Sequence, residues 1–277
     1  MRSEPEKCGR ASGPASTAVT WSPRSGFGYL NVRRGEPLGV GRGRSIPPIL
    51  SSPIGFADPL KPRYRDIDGL RAEYEAKQDA IRARLEDFRR TGHKADERLF
   101  EELCFCIVAI QSKARASDSA VAALRTTQLL WSGGPDEIAT FLRHRTRFHN
   151  HKAAFIVRAR ERFFPQGHGE LAKTLDSFPS SKDARGWLVR EVHGLGLKEA
   201  SHFLRNTGRG EDLAILDRHI LRNLIRHGVL RRLPRTLTPK RYLDIERRIE
   251  SFSEEIGIPM AALDLLFWSR ETGEIFK

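Results

Sequence analysis

Apolar residues recur at helical spacing through most of residues 63–277, and almost nowhere do they alternate as they would in a strand. Leu70, Tyr74, Ile81, Leu85 and Phe88 form one stripe over residues 67–90, which Thr91-Gly92 ends. The stretch Glu97–Ile110 becomes apolar on every side in its second half, the mark of a central buried helix. Residues Ser117–Trp131 predict a further helix stopped by Gly133-Gly134, and Pro135-Asp-Glu137 opens another, with proline first and acids in the first turn. Phe148, Phe155, Ile156, Ala159 and Phe163 give the next helix its apolar face. Ser180 caps a helix that begins after Pro179, Thr238-Pro239 opens one running to Ile256, and Pro259–Arg270 forms the last. The expected fold is all-α.

Residues 1–62 break with this pattern. Gly, Pro and Ser supply 25 of the first 60 positions, and the few aliphatics show no period. This stretch reads as a disordered basic tail ahead of a folded domain spanning 63–277. Arg33, Arg34, Arg42 and Arg44 make it either plain solvated disorder or a basic arm.

The densest local signal lies at 185–220. Trp187, Leu188 and Val192 face one helix, Gly194-Leu-Gly196 makes a tight turn, and Leu197, Ala200, Phe203 and Leu204 resume the helical period. Lys198 therefore falls in the first turn of a helix, where the positive end of the helix dipole disfavours a cation. Such a lysine is more readily a neutral amine, and so a nucleophile. Asp217, one polar turn downstream, precedes Arg218–Gly228 and on its own reads as an N-cap.

Charge narrows the partner. A net charge of +13 and a pI near 10.1 suggest a polyanion. The three cysteines, Cys8, Cys104 and Cys106, are too few for an iron–sulfur cluster and imply no disulfide framework. His144, His149 and His151 do not share one helix face and have no acid beside them, so no metal site is read there. No stretch is apolar for long enough to span a membrane, and no signal-peptide core appears near Met1. A cytoplasmic protein, nucleoid-associated in a prokaryote, is expected.

Gly194-Leu-Gly-Leu-Lys-Glu-Ala-Ser-His-Phe-Leu-Arg-Asn206, followed by Leu213-Ala-Ile-Leu-Asp-Arg-His-Ile220, resembles the helix-hairpin-helix DNA glycosylases, most closely the type 2 8-oxoguanine DNA glycosylase/lyases. The likeness extends more weakly over about Arg63 to Lys277. It implies two helical subdomains with the active-site cleft between them, Lys198 as the nucleophile and Asp217 as its essential carboxylate. It implies base-binding roles for Phe155, Trp268 and the terminal Lys277, each of which read alone is core or chain end. It implies that the hairpin glycines Gly194 and Gly196, and the turn at Gln111 and Ser112, approach the DNA phosphates. The reaction it implies is excision of 8-oxoguanine from double-stranded DNA through a lysine Schiff base, then strand nicking by β-elimination. No cofactor is needed, and the enzyme is expected to be a monomer. Two alternatives stay open on the residues alone: a glycosylase for another damaged base, and a non-catalytic helix-hairpin-helix module that only grips phosphates.

Overall fold

A computed structural model describes residues 64–277; the tail expected at 1–62 lies outside the described residues. Twelve α-helices and no strands occur among them. They are α1 (Ile67–Gly92), α2 (Asp96–Val108), α3 (Ala114–Thr126), α4 (Leu129–Ser132), α5 (Pro135–Leu142), α6 (His149–Phe163), α7 (Leu171–Asp176), α8 (Ser181–Glu191), α9 (Leu197–Asn206), α10 (Arg218–Arg226), α11 (Pro239–Ile256) and α12 (Met260–Thr272).

The expected stripes become the packed faces. Leu70, Ile81, Leu85 and Phe88 of α1 are buried, and α2 is buried continuously from Leu99 to Val108. Two differences stand out. The helix expected over Ser117–Trp131 is interrupted: Gln128 adopts φ 61°, and α3 and α4 meet at that corner. The short α7 had no apolar repeat long enough to announce it. It is held from a distance, since Asp96 Oδ1 accepts the N–H of Ala172 at 2.6 Å.

The buried side chains fall into two cores. One is built from α2 to α9, around Phe100, Leu103, Phe105, Ile156, Phe163, Leu188 and Phe203. The other joins α1 to α10, α11 and α12, around Ile81, Leu224, Ile245, Phe252, Leu266 and Phe267. The chain crosses between them at α9 and the following loop. Ala200, Phe203 and Leu204 belong to the first core, while Leu197 and the loop residues Ala214 and Leu216 pack on the second. Lys198 and Asp217 thus stand where one core gives way to the other.

Candidate active site in the cleft between the two cores

The hairpin is shaped by its two glycines in different ways. Gly194 has φ +91°, a conformation that costs other residues strain. It also lies flat against Phe155, whose ring would be 2.5 Å from any Cβ there. Gly196 is not left-handed. Its backbone is extended (φ −95°, ψ −176°), because it serves as the N-cap of α9. The N–H groups of Gly194, Gly196, Leu197 and Lys198 have no acceptor among the described residues, so the hairpin presents a row of donors at a helix start, the ordinary recipe for holding an anion.

The hairpin's support is a buried ion pair. Arg185 of α8 donates to both oxygens of Glu246 on α11, at 2.5 and 2.7 Å, and to Ser201 Oγ at 3.1 Å. Glu246 also accepts the N–H of Ala214, and Tyr242 donates to the Ala214 carbonyl at 2.6 Å. The loop delivering Asp217 is therefore clamped to the same charges that hold the hairpin.

Between the cores lies a cleft of about 990 Å³, and Lys198, Asp217, Gln111, Ser112 and Trp268 all line it. Lys198 keeps 28% of its side chain exposed and has Glu199 at 3.6 Å, so it is not sealed in an apolar pocket. Asp217 caps α10: its Oδ1 accepts the N–H of Ile220 at 2.8 Å. The cleft walls carry Lys113, Arg145, Arg147 and Arg218, a field suited to a polyanion.

Beneath the lysine the interior is charged. Arg205, 1% exposed, faces Asp264 at 3.3 Å. Burial pushes the Asp264 carboxyl up to about 6, with Arg205 opposing. Burial, helped by the charges of Arg205, Lys198 and Lys277, drives His202 well below the usual imidazole range, so it is neutral.

Three expected site residues sit differently from what the resemblance implied. Phe155 is outside the cleft lining; it lies under Gly194, stacked between His151 and His193. The Lys277 ammonium points inward, to Glu102 at 2.8 Å and Asp118 at 2.7 Å, and over the Phe105 ring at 4.5 Å. It is neither frayed nor free. Ser112 lines the cleft, but its hydroxyl is engaged with Thr146 Oγ1 at 2.6 Å and Lys152 Nζ at 3.2 Å, and its N–H with the Ala109 carbonyl. Trp268 packs on His219 at the cleft edge, and Gln111 projects there from a left-handed turn, φ 51°. Lys152, Arg185, Glu246 and Asp264 escaped sequence reading. The one signal was a charge set in an apolar stripe, as Glu246 is between Tyr242, Ile245 and Ile249.

A glycine hairpin with free N–H groups, a lysine at the following helix start and a carboxylate lining the same basic cleft fit the fold of a helix-hairpin-helix DNA glycosylase. The family model for 8-oxoguanine DNA glycosylase matches residues 81–258. The chain belongs to that family. It is 40% identical over 205 residues to the 8-oxoguanine DNA glycosylase/AP lyase of Fusobacterium nucleatum, covering 74% of this chain and 94% of the relative. To the Methanocaldococcus jannaschii 8-oxoguanine DNA glycosylase/AP lyase it is 36% identical, covering 72% and 93%. The fold matches the crystal structure of the Methanocaldococcus jannaschii 8-oxoguanine glycosylase/lyase in complex with a 15mer DNA containing 8-oxoguanine. The TM-score is 0.69 at 33% identity, over 76% of this chain and 99% of that one.

Proposed function

We propose that this chain is a bifunctional glycosylase and AP lyase that removes 8-oxoguanine from duplex DNA, with Lys198 and Asp217 carrying the chemistry. The observation that carries the reading is that both side chains open onto one basic cleft from the starts of two consecutive helices.

The damaged nucleotide must leave the stack to be reached, at a cost of a few kcal/mol. Phosphates gripped by the hairpin N–H groups offset that cost, and Trp268 offers a face on which the extruded base stacks. The Lys198 amine attacks C1′ of the deoxyribose, and the base departs with the glycosidic electron pair. Asp217 keeps one oxygen on the Ile220 N–H. The other is available to accept a proton from the amine and to stabilise positive charge on the sugar. The sugar ring opens to a Schiff base on Lys198. Loss of a C2′ proton then expels the 3′ phosphate, and water releases the enzyme.

In guanine N7 accepts a hydrogen bond; in 8-oxoguanine it donates one. An acceptor in the pocket therefore separates the two bases, and the Lys277 ammonium, committed to Glu102 and Asp118, is not that group. The protein acts as a monomer on cytoplasmic or nucleoid DNA, and residues 63–277 are the catalytic unit. No described helix is long and apolar enough to cross a membrane. Reduction with borohydride on duplexes carrying 8-oxoguanine or other oxidised bases tests both the chemistry and the lesion: trapping on the 8-oxoguanine duplex is expected, and none there would refute it.

A further inference from the structure

Lys152 lies on α6, 1% exposed, and takes no part in the chemistry above. Its ammonium donates to the carbonyls of Val108 at 2.8 Å and Ile110 at 2.6 Å, to Thr146 Oγ1 at 2.6 Å and to Ser112 Oγ at 3.2 Å. Every acceptor is neutral, and no carboxylate pairs with it among the described residues. Burying a cation without a counter-ion is costly, and burial holds this one down to about 8. Its bonds to carbonyls at the C-terminal end of α2, the negative end of the helix dipole, favour the charged form. An apolar side chain would fill the space at lower cost if filling were the only need.

Two of the four acceptors, Ser112 and Thr146, line the cleft, and Val108 and Ile110 lie directly behind that wall. Val108 ends α2, Ile110 and Ser112 belong to the turn that follows it, and Thr146 comes from the loop before α6. Gln111 lies between two of the acceptors, left-handed at φ 51°, exposed, and lining the same cleft as Lys198. A non-glycine residue holds such a conformation only where its surroundings enforce it.

We propose that Lys152 is a positioning residue for DNA: its ammonium locks the Ile110–Ser112 turn so that Gln111 meets the strand in the cleft. This rests on the reading of the cleft as the DNA site. Lys152 touches no reacting atom, so its removal acts on substrate engagement before it acts on the lysine chemistry.

Lys152→Met, Ser112→Ala and the double variant test this in the full chain. Single-turnover base release is measured against the concentration of an 8-oxoguanine duplex, and nicking is measured on a saturating preformed abasic duplex. Both are normalised to the fraction trapped by borohydride. The half-saturating duplex concentration should rise roughly tenfold in Lys152→Met, as for a misplaced contact remote from the chemistry, while nicking of the abasic duplex stays within about threefold. Ser112→Ala should raise it about threefold, the worth of one hydrogen bond, and add nothing in the Met background. Wild-type half-saturation per trapped molecule in Lys152→Met, or equal losses that vanish on normalisation, would overturn the proposal and leave Lys152 a structural cap. If Lys152→Met does not fold, Ser112→Ala decides: an unchanged half-saturation overturns it. Failure of the wild type to trap would instead overturn the reading of the cleft.

Discussion

Asp217 Oδ1 accepts the N–H of Ile220 at 2.8 Å, so the carboxylate assigned to the chemistry also closes the first turn of α10. The two roles separate in one substitution. Asparagine caps nearly as well as aspartate, so Asp217→Asn should change stability by less than about 1 kcal/mol. Base release should fall by roughly 10²- to 10⁴-fold, the usual worth of a positioned acid–base group. A variant that melts early but keeps its specific activity would make Asp217 a cap alone.

The glycines of the hairpin should respond unequally. Gly194→Ala meets both a φ of +91° and the Phe155 ring. A loss of about 1–3 kcal/mol is expected, roughly 2–12 °C in the melting temperature of a domain of this size. At Gly196 the backbone is extended and the nearest obstacle is the flexible Glu199 carboxylate, 3.2 Å from a Cβ. Gly196→Ala should melt within a few degrees of wild type yet bind duplex more weakly, by crowding the phosphate. Equal melting temperatures for the two variants would contradict this.

Lys277 holds its ammonium against a buried carboxylate. Lys277→Met leaves Glu102, 2% exposed, without one of its cationic partners, and a loss of about 1–3 kcal/mol is expected. Scanning calorimetry checks this; a variant that melts with the wild type would contradict the pairing.

Acid should weaken the fold through His202. Its folded value lies well below the ordinary 6.5, so as pH falls through about 6.5 the unfolded chain takes up a proton that the native state refuses, and stability drops. Its Nε2 has no hydrogen-bond partner among the described residues. His202→Leu should therefore cost little at pH 7.5 and show a shallower loss between pH 7 and 6 in urea titrations. An unchanged slope would mean that His202 does not carry this dependence.

The helices with long apolar stripes were legible from the chain, as were the hairpin, Lys198 at the following helix start and Asp217 as the cap of the next helix, because each is announced within a few residues; their joint role in the chemistry is implied by the resemblance alone. The corner at Gln128 was not: no glycine or proline marks it, and the turn is imposed by how α3 and α4 pack. The resemblance implies a base-stacking role for Phe155, and its ring packs against Gly194, a contact across 39 positions that no local pattern encodes. The same holds for Arg185 with Glu246, and for Lys152 with the end of α2. Each is a charge whose partner is found only after folding, and read alone each is a polar residue on a helix.

The most direct measurement is borohydride trapping of wild type and Lys198→Gln on a duplex carrying a single 8-oxoguanine. The wild-type protein should form a covalent complex, release the base and nick the strand. Lys198→Gln should keep its melting temperature and duplex affinity and lose all three activities together, since one amine serves both steps. A Lys198→Gln protein that still released the base at the wild-type rate would contradict the assignment of Lys198 as the nucleophile.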